Sequence, residues 1–343
     1  MKSFFTNVKY LAEKFYRLLE SNLGRRPSAF ELAKHTFCMI FDNLRYHATF
    51  SDYFDLQFYR KNAKEKAEYI TAKDARKFAL FVDGEDKVAF YASKTNMYKA
   101  LADYVGRDQL FLPEASFDEF ERFLKKHPRF LFKPDNLEGG YGISVIDSDG
   151  EDTAALYEKL KVSPAVLDEL IEQAPEMRAL CPQSVNTVRI FSLRIGREIR
   201  LMFPLLRMGD GSKVVDNFYS GGLISTLDID TGKTIYSGVN SRNEEYEYHP
   251  LTNVQIKGFQ VPRWDALKAF VLDCAEHFDL DYVAWDIAIR EHDFVVIEAN
   301  PNGGNQAPQM AGASGQRKQF ELFRQQIEEY RKQGAQQDGV SNT

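Results

Sequence analysis

The chain has 343 residues, 44% of them hydrophobic and 27% charged, with a formal net charge of −6. This is ordinary globular composition with enough apolar material for one large domain or two or three linked ones. Lys+Arg 44 against Asp+Glu 50 argues against a nucleic-acid partner, which asks for a basic face. No run approaches the roughly 18–20 apolar residues of a transmembrane segment. Cys38, Cys181 and Cys274 are too scattered for a disulfide framework or a zinc site, and they suit a reducing cytoplasm. Glu13 and Lys14 interrupt any signal-peptide core within Met1–Glu20.

In chain order, apolar residues at helical spacing (Phe4, Phe5, Val8, Leu11, Phe15, Leu18, Leu19) predict an amphipathic helix over 2–23. Lys2, Lys9, Lys14 and Arg17 lie among them. Packing on its own domain is the plainer reading, and a basic helix on a membrane surface is the alternative. Ser28-Ala-Phe-Glu31 has capping-box spacing and opens a second helix to about 47. Residues 51–80 also read as helical, so 1–90 is expected to be a mostly helical N-terminal region.

From about 90 the texture changes. Helices are predicted over 94–105, 116–126, 151–160, 263–278 and 316–333. Strands are predicted over 129–134, 142–147, 187–195, 198–206, 222–229, 233–239, 282–289 and 293–300. Strand runs joined by short turns predict an α+β protein with antiparallel sheets. The polar tail 334–343 is expected to be disordered.

Two stretches carry chemistry. In Tyr282–Ile289 and Phe294–Asn300, a hairpin centred near 292 sets Asp286 opposite Glu298, with Asn300 on the same face. Two carboxylates in apolar strands need compensation, either from a neighbouring Lys or Arg or from a hard cation with oxygen ligands, and the sequence leaves both open. Further back, Lys133 ends an apolar strand that runs into a turn holding Gly139, Gly140 and Gly142. The lysine needs an anionic partner, and such a glycine turn lets backbone N–H groups approach phosphate. A plain hairpin is the alternative. No Gly-Lys-Ser/Thr follows, so this is not a Walker A loop.

Together with Ser93-Lys94, the run Val166-Leu-Asp-Glu-Leu-Ile-Glu172, and the ordered segments SVNTVRI, DNFYSGG, His249-Pro250 and YVAWDIAI, these residues resemble the ATP-grasp superfamily over about 93–310. The wording is most similar to its sugar-transfer-associated branch. The resemblance implies an ATP-grasp fold, with two α+β subdomains gripping ATP between antiparallel sheets. It implies a small lid subdomain with the glycine-rich loop over 91–175 and a large subdomain with the metal site over 176–333. It further implies ATP held by Lys94, Lys133, Gly139, Gly140, Gly142, Glu169, Ile171 and Glu172. Asp286, Glu298 and Asn300 would ligate one or two Mg²⁺, with Mn²⁺ as a substitute. Arg207, Arg189 and Asn217 are implied to serve the substrate, Arg189 alternatively as a sheet salt bridge. His249 and His292 are read as a surface or turn histidine rather than a general base. The activity implied is an ATP-dependent carboxylate–amine ligase working through an acylphosphate on small-molecule carboxylate and amine substrates, among them cell-surface polysaccharide, sugar-nucleotide or amino-acid-like precursors. The alternatives are an ATP-grasp kinase of a small hydroxyl substrate and a non-catalytic nucleotide-binding protein. The family also suggests a homodimer. Two departures stand out: the Glu-Ala-Asn-Pro-Asn-Gly-Gly-Asn ending of the metal strand, and the helical N-terminal region.

Overall fold

The structure, a computed structural model, describes residues 2–135, 142–211, 216, 218, 221–312 and 314–341. The N-terminal region is helical, as the periodicity predicts: α1 (Lys2–Leu23), α2 (Ala29–Tyr46), α3 (Phe50–Asp55), α4 (Ala63–Ala67), α5 (Ala72–Asp83) and α6 (Glu85–Tyr91). Ser28 and Glu31 form the expected capping box at the head of α2. The predicted 94–105 helix breaks at Leu101 into α7 (Lys94–Ala100) and α8 (Ala102–Val105).

A small sheet follows. Its elements are β1 (Gln109–Phe111), α9 (Phe117–Lys126), β2 (Arg129–Pro134), β3 (Ser144–Asp147), α10 (Thr153–Leu160) and β4 (Ala165–Glu169). The strands run antiparallel in the order β1-β4-β2-β3. α9 and α10 cover one face through Phe120, Phe123, Leu156 and Leu160, which pack on Phe130 and Leu167.

The large sheet begins after α11 (Pro175–Leu180) with β5 (Thr187–Ile195), β6 (Glu198–Met208), β7 (Leu223–Thr226), β8 (Gly238–Val239) and β9 (Glu245–Tyr246). After α12 (Trp264–His277) come β10 (Tyr282–Ile289), β11 (Phe294–Asn300), α13 (Ala307–Met310) and α14 (Arg317–Ser341). Its order is β11-β10-β5-β6-β7-β8-β9, antiparallel throughout. The predicted 222–229 and 233–239 strands are shorter here than their apolar runs. α14 continues to Ser341, so the stretch from 334 expected to be disordered is helical that far.

Both faces of this sheet are covered, and β10 is buried along its whole length. Alternation sorts its side chains. Val283, Trp285, Ile287 and Ile289 join α12, α7 and α8 in the largest core. Tyr282 and Ala284 join Phe191 of β5, Phe78 of α5 and Phe320 of α14 on the other face. Thus the N-terminal helices do not stand apart: α5 closes this second face beside α14. Asp83 at the end of α5 accepts the N–H groups of Asp281 and Tyr282 at 2.6 and 3.1 Å and fixes α5 to the start of β10.

Two β-bulges set the rest. β5 and β6 shift register between Arg189 and Phe191, where Phe203 of β6 adopts φ 51°. β10 and β11 shift between Asp286 and Ile287, leaving Ile297 as the extra residue on β11. Each adds one residue to one strand and exchanges the two faces of that strand beyond it.

Phe320 meets the rings of Phe78 at 4.8 Å and Tyr282 at 6.2 Å. Phe320→Ala should lower stability by about 3–5 kcal/mol, measured by urea unfolding; an unchanged midpoint would remove α14 from the folding unit. Burial pushes the Asp83 carboxyl up to about 6, against the pull of its two backbone N–H donors. Its folded value exceeds the unfolded one of about 3.9, so the native state binds the extra proton between them and stability falls as pH rises through that window. Asp83→Asn should flatten this dependence in unfolding titrations between about pH 4 and 6.

Candidate active site

The expected hairpin register holds: Asp286 stands opposite Glu298 and Ala284 opposite Asn300. The site therefore continues the Tyr282–Ala284 face of the sheet, beyond the aromatic cluster that α5 and α14 bury. Without the bulge at Ile297, that residue would oppose Asp286 and Glu298 would turn to the other face.

Asp286 is 2% exposed and is held by protein cations. Arg189 lies directly across on β5 and grips it with both prongs, Nε to Oδ1 at 2.7 Å and Nη2 to Oδ2 at 2.6 Å. Arg207 of β6 adds Nη1 to Oδ2 at 2.5 Å and reaches Asp216 with Nη2 at 3.2 Å. Asp216 also accepts a hydrogen bond from Thr187. Arg207 is on this face because of the bulge at Phe203. Of the two compensations the sequence left open, the protein cation is thus present at Asp286. Burial would push the Asp286 carboxyl up, but Arg189 and Arg207 outweigh it and hold it below the ordinary range. Burial pushes Asp216 up against the pull of Arg207, with the charge of Asp286 adding to the rise. Arg207 stays charged despite burial because Asp216 and Asp286 face it.

Glu298 is differently placed. Its side chain is 32% exposed, with the buried Lys94 at 4.0 Å. Lys94 opens α7, where Ser93 caps the helix. Asn300 spends its amide nitrogen on the Ala284 carbonyl at 3.4 Å. Of the four or so acceptor positions on the Asp286 carboxylate, Oδ1 uses one and Oδ2 two in the arginine contacts. Glu298, Asn300 and the remaining position on Asp286 are all oxygen donors on one face, the donor type a hard cation takes.

Lys133 is buried, and its anionic partner in the protein is Asp168 of β4. Burial would lower the lysine, but Asp168 outweighs it and raises it. Arg107 completes a triad: Nε donates to Asp168 at 2.8 Å and Nη1 to the Val296 carbonyl at 2.8 Å. Tyr98 of α7 lies 3.2 Å from the Lys133 ammonium and donates to the Ile297 carbonyl at 2.8 Å. Both carbonyls belong to the bulge of β11. Gly106 is glycine because a Cβ there would stand 2.8 Å from Val295 of the same strand. Asp135, just past Lys133, accepts from Ser93 at 3.0 Å and from the Thr95 N–H at 2.9 Å, joining the start of the glycine turn to the head of α7.

Other expected residues sit apart from this cluster. Glu169 ends β4, and its carboxylate accepts the Asp108 N–H at 2.9 Å. Ile171 follows it half-buried, and Glu172 is exposed and pairs with Arg178 at 2.9 Å. Gly142 has φ 75° beside β3. Gly139, Gly140 and Asn217 lie outside the described residues. His249, read as a surface histidine, is buried instead, with Nε2 on the Gly209 carbonyl at 2.7 Å and Nδ1 accepting from Leu251. His292 is exposed in the turn. A cavity of about 470 Å³ opens at the start of β7, lined by Asp210, Gly221, Leu223, Asn240, Arg242 and Tyr246.

Asp168, Arg107 and Tyr98 were missed as site residues. Asp168 carried a signal, a carboxylate within the apolar run Val166-Leu-Asp-Glu that answers the lone lysine in β2. Arg107 and Tyr98 carried none.

The family described as sugar-transfer associated ATP-grasp matches residues 64–325. No curated protein matches the sequence. Among solved structures, the ATP-grasp ligase PsnB complexed with minimal precursor, Mg and ADP aligns at 13% identity over 71% of this chain and 61% of its own, with a TM-score of 0.44. N5-carboxyaminoimidazole synthetase from Staphylococcus aureus complexed with ADP aligns at 11% over 70% and 53%, TM-score 0.42. The D-alanine-D-alanine ligase from Coxiella burnetii aligns at 12% over 74% and 63%, TM-score 0.43. The chain thus spans less than two thirds of the length of each.

Asp286→Ala leaves two buried guanidinium groups facing each other. It should cost about 3–5 kcal/mol in denaturant unfolding, and a second change, Arg189→Leu, should recover part of the loss. Equal stability of wild type and Asp286→Ala would show that the arginines find other partners.

Proposed function

The chain belongs to the sugar-transfer-associated ATP-grasp family, and on that premise we propose that it is an ATP-dependent ligase joining a carboxylate to an amine. The observation that carries this reading is the Asp286–Glu298 pair on one face, with Asn300 two residues on and Lys94 at 4.0 Å from Glu298. The large subdomain, taken as 176–333, supplies the acidic site, and the small one, taken as 91–175, supplies Lys133 and the glycine turn.

Glu298 and Asn300, with the open acceptor position on Asp286, would hold Mg²⁺, which when bound neutralises charge developing on the phosphates of ATP. Lys94 and Lys133 would face those phosphates from α7 and β2. Asp168 holds Lys133 charged and in place, and Tyr98 and Arg107 fix it relative to β11. The backbone after Glu169 would take the adenine, with Glu169 or Glu172 towards the ribose. Arg207 and Arg189 keep Asp286 ionised; the carboxylate of a substrate would be drawn to their outer edges, since Arg suits planar oxyanions. Asn217 would serve the same substrate. The reaction is written as attack of the substrate carboxylate on the γ-phosphorus, giving ADP and an acylphosphate. The amine then attacks the acyl carbon, phosphate leaves, and the amine gives up a proton. The cavity at the start of β7 is the proposed seat of one substrate. Precursors of cell-surface polysaccharide, sugar nucleotides or amino-acid-like acids are the substrate classes the family suggests.

Phosphate release should appear only with a carboxylate and an amine together, and mass spectrometry should find the amide. ADP formation with a hydroxyl compound alone, the phosphoryl group retained on that compound and no phosphate released, would replace the ligase by a kinase. Glu298→Gln should cut turnover by about 100-fold or more with unfolding unchanged. Undiminished ATP consumption in that variant would remove Glu298 from the metal site.

A further inference from the structure

α2 has two apolar faces. One packs inward through Leu32, His35 and Met39 with the aromatic cluster of α1 and α3. The other is exposed. On it Phe30, Phe37 and Leu44 are 78%, 69% and 77% exposed, and Ile40 and Phe41 are half exposed. At 100° per residue these five, with Ala33, fall within an arc of about 100°, one continuous stripe along the helix. It contains no hydrogen-bonding side chain.

One margin of the stripe is basic, and the other carries the uncharged Ala29, Thr36 and Asn43. Lys34 and Arg45 are exposed at its edge. The acidic residues of α2 are turned away and already paired: Glu31 to Arg25 at 2.5 Å, and the buried Asp42 to Lys66 at 2.7 Å. Residues 1–48 hold four Lys and four Arg (Lys2, Lys9, Lys14, Lys34, Arg17, Arg25, Arg26, Arg45) against Glu13, Glu20, Glu31 and Asp42, a net +4 on a chain of net −6. No helix among the described residues is long and apolar enough to cross a membrane.

We propose that α2 docks this chain onto an anionic lipid surface, lying in the interface with its Phe-rich stripe among the acyl chains and Lys34 and Arg45 at the headgroups. An amphipathic helix binds membranes by apolar burial together with attraction of basic residues to anionic lipid. A stripe without polar groups suits a phase that offers none in return. Two copies of α2 would bring Lys34 and Arg45 together, and like charges at the edges of a helical seam oppose pairing. The attachment places the N-terminal region against lipid.

The test is cosedimentation of the full chain with vesicles of phosphatidylcholine and phosphatidylglycerol, beside phosphatidylcholine alone. Binding should require the anionic lipid and fade with added salt. Phe37→Glu with Leu44→Glu should abolish it, and Lys34→Glu with Arg45→Glu should weaken it by about tenfold or more, with phosphate release in solution unchanged for both pairs. Equal binding of wild type and both variants, binding to neutral vesicles alone, or no binding together with a concentration-dependent dimer that Phe37→Glu with Leu44→Glu disperses would each overturn it.

Discussion

Two carboxylates, Asp286 and Glu298, face each other across a pair of apolar strands, and their mutual repulsion organises the centre of this molecule. Three acidic groups, counting Asp216, are matched by three cations, Arg189, Arg207 and Lys94. The matching is uneven. Asp286 is buried, with three of its acceptor positions taken by guanidinium groups, whereas Glu298 is partly open, with the Lys94 ammonium at the limit of ion-pair distance. The open acid beside a held one is the arrangement in which an added cation finds one ligand ready and another fixed in place. Breaking such a buried pair from one side is expensive because the partner is left charged in a dry setting.

The same acidic strand joins the two sheets. Arg107 and Tyr98 donate to the carbonyls of Val296 and Ile297 on β11, the edge strand of the large sheet. Through Asp168 and Lys133 these contacts reach the middle of the small sheet. Asp135 closes the loop back to the helix that bears Lys94. Both lysines are therefore referred to the backbone of β11, the strand that carries Glu298 and Asn300. A buried polar network of this kind specifies one relative placement of the sheets, since each member would be unsatisfied in any other.

Much of this was legible before any coordinates. The Asp286–Glu298 pairing was expected from strand alternation and a short turn, but the pairs nearer the turn set Ile287 opposite Val296, and it is the extra Ile297 on β11 that brings Glu298 opposite Asp286. Most helices and the long strands follow from period and capping, as at Ser28 and Glu31. Lys133 announced a buried charge in need of an anion, and Asp168 supplies one within the protein. What could not be read was long-range: Arg107 and Tyr98 reach the site through the docking of α7 and α8 on β11, and the buried strand β4 was not among the predicted strands because its charged end broke its apolar run. The arginine grip on Asp286 depends on which way β6 faces, and alternation counted from Glu198 gives the wrong answer past Phe203. Gly139, Gly140 and Asn217 fall outside the described residues.

That miscount has a practical side. A chain of nearly regular strands usually tolerates a gap of one in a pairwise comparison, because neighbouring apolar residues look alike. Here a gap of one beside Phe203 or Ile297 would trade the identities of pocket and core. Arg207 would be scored as a hydrophobic position and Leu206 as a charged one, and Glu298 would be swapped with its apolar neighbours. Distant sequences should be matched to this chain with the extra residue of each strand kept as a column of its own.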